Sequence, residues 1–151
     1  MKIKKSAIIV LVLILVMVGS TFANLLYSMF SQPKLPEGND IDYELTGQEK
    51  NLVLRQGKVL LEFFYGSNCG NCQDKISFLD FLANQYKDKS FLEKILINES
   101  TPKLNIIGFN VTQDNIYLDE RYLEGENITE QRVKDVLCEV FIVPPVECAK
   151  V

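Results

Sequence analysis

Histidine and tryptophan are absent from this chain of 151 residues, and glycine and proline are sparse. Without histidine there is no Ser–His or Cys–His activation of a nucleophile, no histidine zinc ligand and no attachment of a c-type haem at a cysteine pair. Clustered basic residues are also lacking. The chain carries 16 Lys and Arg against 20 Asp and Glu, and three of those lysines sit in the first five residues, where there is no acid. The remainder of the chain therefore has a net charge of −7, which excludes a nucleic-acid-binding surface. Catalysis, if present, has to use cysteine, carboxylate, hydroxyl or backbone groups. The four cysteines are too dispersed for an iron–sulfur cluster.

Charge is missing altogether between Lys5 and Lys34. The run Ala7–Val18 is wholly apolar, and Phe22, Leu25, Leu26, Tyr27, Met29 and Phe30 extend it. That meets the roughly 20 apolar residues a membrane helix needs. The basic head predicts a cytoplasmic N-terminus and an extracytoplasmic remainder. Residues 1–30 read as a single-pass signal-anchor in the cytoplasmic membrane. Thr21-Phe22-Ala23 offers the alternative, a cleaved signal peptide and a secreted product.

Residues 31–50 are polar, with Pro33, Pro36, Gly38 and Gly47, and read as a linker. The domain is expected over 51–151. Lys58–Tyr65 has the composition of a buried strand, and Gln73 to about Asp88 has helical spacing, with Ile76, Leu79, Leu82, Ala83 and Tyr86 on one face. Ser90–Ile97 fits helix or strand equally. Lys103–Phe109 reads as a strand, with its hairpin partner in Ile116–Leu118 and Tyr122-Leu123. Thr129 to about Phe141 is an amphipathic helix. Asn127 and Glu130 have capping-box spacing before it. Asn98, Asn110 and Asn127 each begin an Asn-x-Ser/Thr triplet, which caps and turns explain as well as sugar does.

The specific feature is Cys69-Gly70-Asn71-Cys72, placed between the strand and the first helix. Two intervening residues at a helix start bring the sulfurs within disulfide reach. The helix N-terminus favours thiolate, the attacking species. Cys69 is thus the candidate nucleophile and Cys72, deeper, the resolving thiol.

From Leu61-Glu62-Phe63-Phe64-Tyr65 through Cys72 and the following helix, the chain resembles the thioredoxin-like superfamily. The resemblance spans roughly 51–141. It implies an α/β fold, a central mixed sheet flanked by helices, and disulfide exchange on protein thiols and disulfides without a cofactor or metal. It implies a redox partner in the membrane or outside it. It also implies a buried acid serving the inner cysteine. Glu62 matches, although it stands one residue further from the motif than in that family. A cis-proline against the disulfide is implied too. Pro102, in Thr101-Pro102-Lys103, fits it, and Pro144 and Pro145 are the alternatives. Tyr65, Ser67 and Thr101, with the backbone at Pro102, would then hold an extended peptide. Only 29 residues separate Cys72 from Pro102, which predicts a reduced or missing third strand. The Gly70-Asn71 dipeptide is neither of the family's common reducing or strongly oxidising pairs. Cys138 and Cys148 flank the double proline and read as a structural disulfide, with a second redox pair, free thiols and metal ligation as alternatives. A non-catalytic binding module and a four-cysteine zinc domain are the rival functions.

Overall fold

The computed structural model describes residues 34–111 and 115–150, together with Val16, Met17 and Gly19. The apolar stretch read as an anchor lies almost wholly outside the described residues. Among the described residues, no helix is long and apolar enough to cross a membrane. The chain divides into two compact units, Met1–Lys34 and Leu35–Val151. The second carries the fold.

Five strands form one sheet: β1 (Asp40–Ile41), β2 (Val59–Gly66), β3 (Ser90–Ile97), β4 (Lys103–Val111) and β5 (Ile116–Glu124), in the order β1-β3-β2-β4-β5. β1, β3 and β2 are parallel, while β4 runs antiparallel to β2 and β5 antiparallel to β4. Helices α1 (Gly47–Arg55), α2 (Cys72–Gln85) and α3 (Glu130–Val140) complete the unit. β2 is central, which explains its nearly unbroken apolar composition. Its alternate residues serve two cores. Val59, Leu61 and Phe63 join Leu79, Leu82, Val133 and Leu137 of α2 and α3. Leu60 faces the other way, with Phe91, Val53 and Leu54.

The polar stretch read as a linker is partly structural. It supplies β1 and the start of α1, whose Thr46 and Glu49 form a reciprocal capping box. Of its few apolar residues, Ile41 and Leu45 are buried and Leu35 packs partly against them, while Tyr43 is exposed. Polar residues surround them, so the segment does not stand out as a buried element in the sequence.

The expectation of a reduced third strand is also corrected. β3 is a full eight residues and pairs along the whole of β2. The chain saves length in the link between β3 and β4, which is only residues 98–102. This short link crosses the end of β2. A Cβ on Gly66 would lie inside the contact distance of the Glu99 carbonyl oxygen, with the Glu99 carbonyl carbon 2.9 Å away. Gly66 is what lets the link cross there.

The capping of α3 differs from the expectation as well. Thr129, not Asn127, is the cap, and its hydroxyl accepts from the Arg132 amide. Asn127 belongs to the preceding turn of 3-10 helix, Gly125–Asn127.

After α3 the chain turns through Pro144-Pro145, and Cys148 is disulfide-bonded to Cys138. The closed loop is short, so removal by paired Cys138→Ser and Cys148→Ser is expected to lower stability by about 2–3 kcal/mol. A urea denaturation midpoint checks this.

Candidate active site

β2 ends at Gly66, and a turn returns the Cys69 amide to the Gly66 carbonyl (3.2 Å). Cys69 and Cys72 form a disulfide with Cα atoms 5.5 Å apart. Cys72 opens α2 and is buried, whereas Cys69 is half-buried just before the helix. Of the two sulfurs, an incoming thiol or disulfide therefore reaches Cys69 more readily.

Tyr65 packs partly buried against the core that holds Cys72 and is stacked on Phe63 with ring centroids 5.5 Å apart. Ser67 and Asn68 are exposed. With Gly66, Ile97, Asn98, Glu99 and Ser100 they line a shallow polar recess at the end of β2. Thr101 is exposed and Pro102 buried. Register pairs Phe64 with Lys103, so Pro102 lies one step on, level with Tyr65 at the motif end of the sheet. The cis bond expected at Pro102, or at Pro144 or Pro145, is not found. All peptide bonds among the described residues are trans. The five-residue link brings Pro102 straight into β4, and its carbonyl accepts the Gly125 amide (2.9 Å).

Parallel β1, β3 and β2, antiparallel β4 and β5, and a cysteine pair at the junction of β2 and α2 decide the architecture. The fold is thioredoxin-like. Among solved structures similar to this chain is the germline-specific thioredoxin Deadhead of Drosophila melanogaster, 16% identical with a TM-score of 0.43, covering 64% of this chain and 95% of that one. A thioredoxin of Fasciola hepatica is 12% identical, with a TM-score of 0.42, covering 62% of this chain and 91% of that one. The Trx4 domain of ERdj5 is 17% identical, with a TM-score of 0.42, covering 64% and 91%. No family model and no curated protein sequence matches the chain.

Within this thioredoxin-like frame, Glu62 does not face the inner cysteine. Cys72 packs with Phe63, and strand alternation turns Glu62 to the opposite side of the sheet. The one-residue offset from the family position is the cause, because a shift of one reverses the face. Glu62 instead accepts from Lys50 of α1 (2.7 Å) and from Asn105 of β4 (2.9 Å). Glu93, fully buried on β3, lies 3.4 Å from the same lysine and accepts the Leu45 amide (2.7 Å). Burial pushes the Glu93 carboxyl up, and neighbouring Glu62 adds to this. The Leu45 amide and Lys50 pull it back, leaving it at about 7. Burial alone would lower Lys50, but the Glu62 hydrogen bond and the two carboxylates outweigh it and hold the ammonium above the ordinary lysine range.

On the motif side, two residues have roles that sequence reasoning missed. Lys75, one turn beyond Cys72, is buried and donates to the Ile128 carbonyl (3.1 Å). A helical lysine reads as solvent-facing, so no sequence signal marks it. Asn71, between the cysteines, donates to Glu126 (3.1 Å). That partner is 55 residues away in sequence, beyond any local pattern.

Proposed function

We propose that this chain is a thiol–disulfide oxidoreductase acting on protein thiols and disulfides outside the cytoplasmic membrane, with Cys69 as nucleophile and Cys72 as resolving thiol. One observation carries the reading: a disulfide at the start of α2 with one half-exposed and one buried sulfur. The extracytoplasmic placement rests on the basic head and the uncharged apolar run.

In the reducing direction the Cys69 thiolate attacks one sulfur of a substrate disulfide. That S–S bond breaks, a Cys69–substrate disulfide forms, and the other substrate sulfur leaves as thiolate and takes a proton. Cys72, deprotonated, then attacks the Cys69 sulfur and displaces the second substrate thiolate. Two electrons pass to the substrate, and the pair closes as the disulfide. A dithiol protein of the same compartment resupplies the electrons. The reverse sequence oxidises a substrate dithiol. Ser67, Asn68 and Thr101 are exposed, and in this reading they bond an extended peptide backbone.

Trapping tests this. Cys72→Ser is expected to accumulate mixed disulfides with client proteins on non-reducing gels, and Cys69→Ser to form none at that site. Equal trapping by both variants, or by neither, refutes the assignment. Fractionation of cells with protease added outside should cleave the domain of a membrane-bound chain.

A further inference from the structure

Asn71 occupies the cap position of α2, yet its side chain makes no capping bond. It bridges two other groups. Its amide nitrogen donates to a Glu126 carboxylate oxygen at 3.1 Å, and its carbonyl oxygen lies 3.8 Å from the Cys69 sulfur. In the disulfide that sulfur has no hydrogen to donate, so the contact is one of position. Its chemistry emerges on reduction.

An ionised carboxylate only accepts hydrogen bonds. Asn71 can satisfy Glu126 solely by turning its NH2 group toward it, which leaves the carbonyl end of the amide toward Cys69. A Cys69 thiol would find an acceptor there. A thiolate would meet the negative end of the amide dipole, against the pull of the helix N-terminus.

The platform under Glu126 is held from several sides. Gly125 takes the left-handed conformation (φ 58°), and its amide donates to the Pro102 carbonyl. The Ile128 amide donates to the Gly125 carbonyl at 3.3 Å. Ile128 is buried in the main core, and Lys75 of α2 donates to its carbonyl. The turn and the first helical turn after the motif are thus linked twice, once through Lys75 and once through Asn71.

We propose that Glu126 is a positioning residue for disulfide exchange: acting through Asn71, it keeps a carbonyl oxygen against the Cys69 sulfur, disfavours the thiolate and biases the pair toward the reducing end. This rests on the exchange reading above.

The test is the pH dependence of Cys69 alkylation by iodoacetamide in the reduced full-length protein, with the equilibrium of the pair against glutathione measured in parallel. Glu126→Gln removes the one-sided demand, because a glutamine amide accommodates either orientation of Asn71. Glu126 and Asn71 are both exposed, so the variants keep the core intact. Glu126→Gln is expected to lower the alkylation midpoint by about one pH unit and to shift the glutathione equilibrium toward the dithiol. In an Asn71→Ala background the same change should move the midpoint by less than about 0.3 unit, since the intermediary is gone. An unchanged midpoint overturns the proposal. So does an equal shift in both backgrounds, which would make Glu126 a direct charge effect. Failure of the exchange reading shows separately, as a wild-type pair that does not equilibrate with glutathione at all.

Discussion

Lys50→Met is expected to destabilise the domain by about 3–5 kcal/mol at pH 8, and by distinctly less at pH 5. Lys50 is the shared counter-ion of Glu62 and Glu93, which are both buried on the α1 side of the sheet. Without it, two carboxylates face each other in a poorly solvated place. Glu93 titrates near 7 in the folded chain against an ordinary 4.5. Between those values the folded state binds more protons than the unfolded one. The stability this group contributes is therefore complete below about pH 4.5 and lost as pH rises through 7, amounting to about 3 kcal/mol. Lys50, raised above the ordinary lysine value, stays charged throughout that window, so the pH dependence belongs to Glu93. Adding Glu93→Gln should recover much of the loss at pH 8, because a neutral amide needs no counter-ion. Urea midpoints of the wild type and both variants at pH 5 and pH 8 check this. An equal loss at the two pH values would refute the account of the cluster.

Gly66→Ala is expected to lower stability by about 3 kcal/mol or more and to weaken exchange at Cys69 together with it. The obstacle is the backbone of Glu99, not a side chain that can rotate away. To admit a methyl group, the link between β3 and β4 has to lift from the end of β2. The same link walls the recess lined by Ser67 and Asn68, the residues that lead into Cys69. A denaturation midpoint and a mixed-disulfide yield, both measured on Gly66→Ala, should fall in parallel. Gly70→Ala is the control, because a Cβ there meets nothing within 4 Å.

These two positions mark the limits of what the sequence makes legible. β2, the cysteine pair and α2 can be read directly, since a central strand is apolar on both faces and the motif spacing is local. The β4–β5 hairpin and α3 follow from period and turn residues. β3 is ambiguous because it too is buried on both faces at its start, and a short apolar run has no period to distinguish helix from strand. β1 and α1 hide within polar composition. The face of Glu62 depends on a one-residue register, and its partners Lys50, Glu93 and Asn105 come from three other elements. Gly66 has the look of a strand breaker, whereas it ends β2 in register with Ile97 and makes room for a chain crossing. Such long-range packing leaves no local trace.

The face that carries Glu62 bears on the chemistry as well. With that carboxylate on the far side of the sheet, Lys75 is the buried ionisable side chain of the helix that Cys72 opens. Proton movement at the inner sulfur thus has a different neighbourhood from the one expected by resemblance. Glu126 and Asn71 act at the outer sulfur.

The most direct measurement is the reduction potential of the Cys69–Cys72 pair in the full-length protein, taken in glutathione and dithiothreitol buffers. A reversible two-electron couple between about −120 and −270 mV, toward the more negative end, is expected. A pair that stays oxidised below about −300 mV would be a structural disulfide and would rule out the proposed exchange.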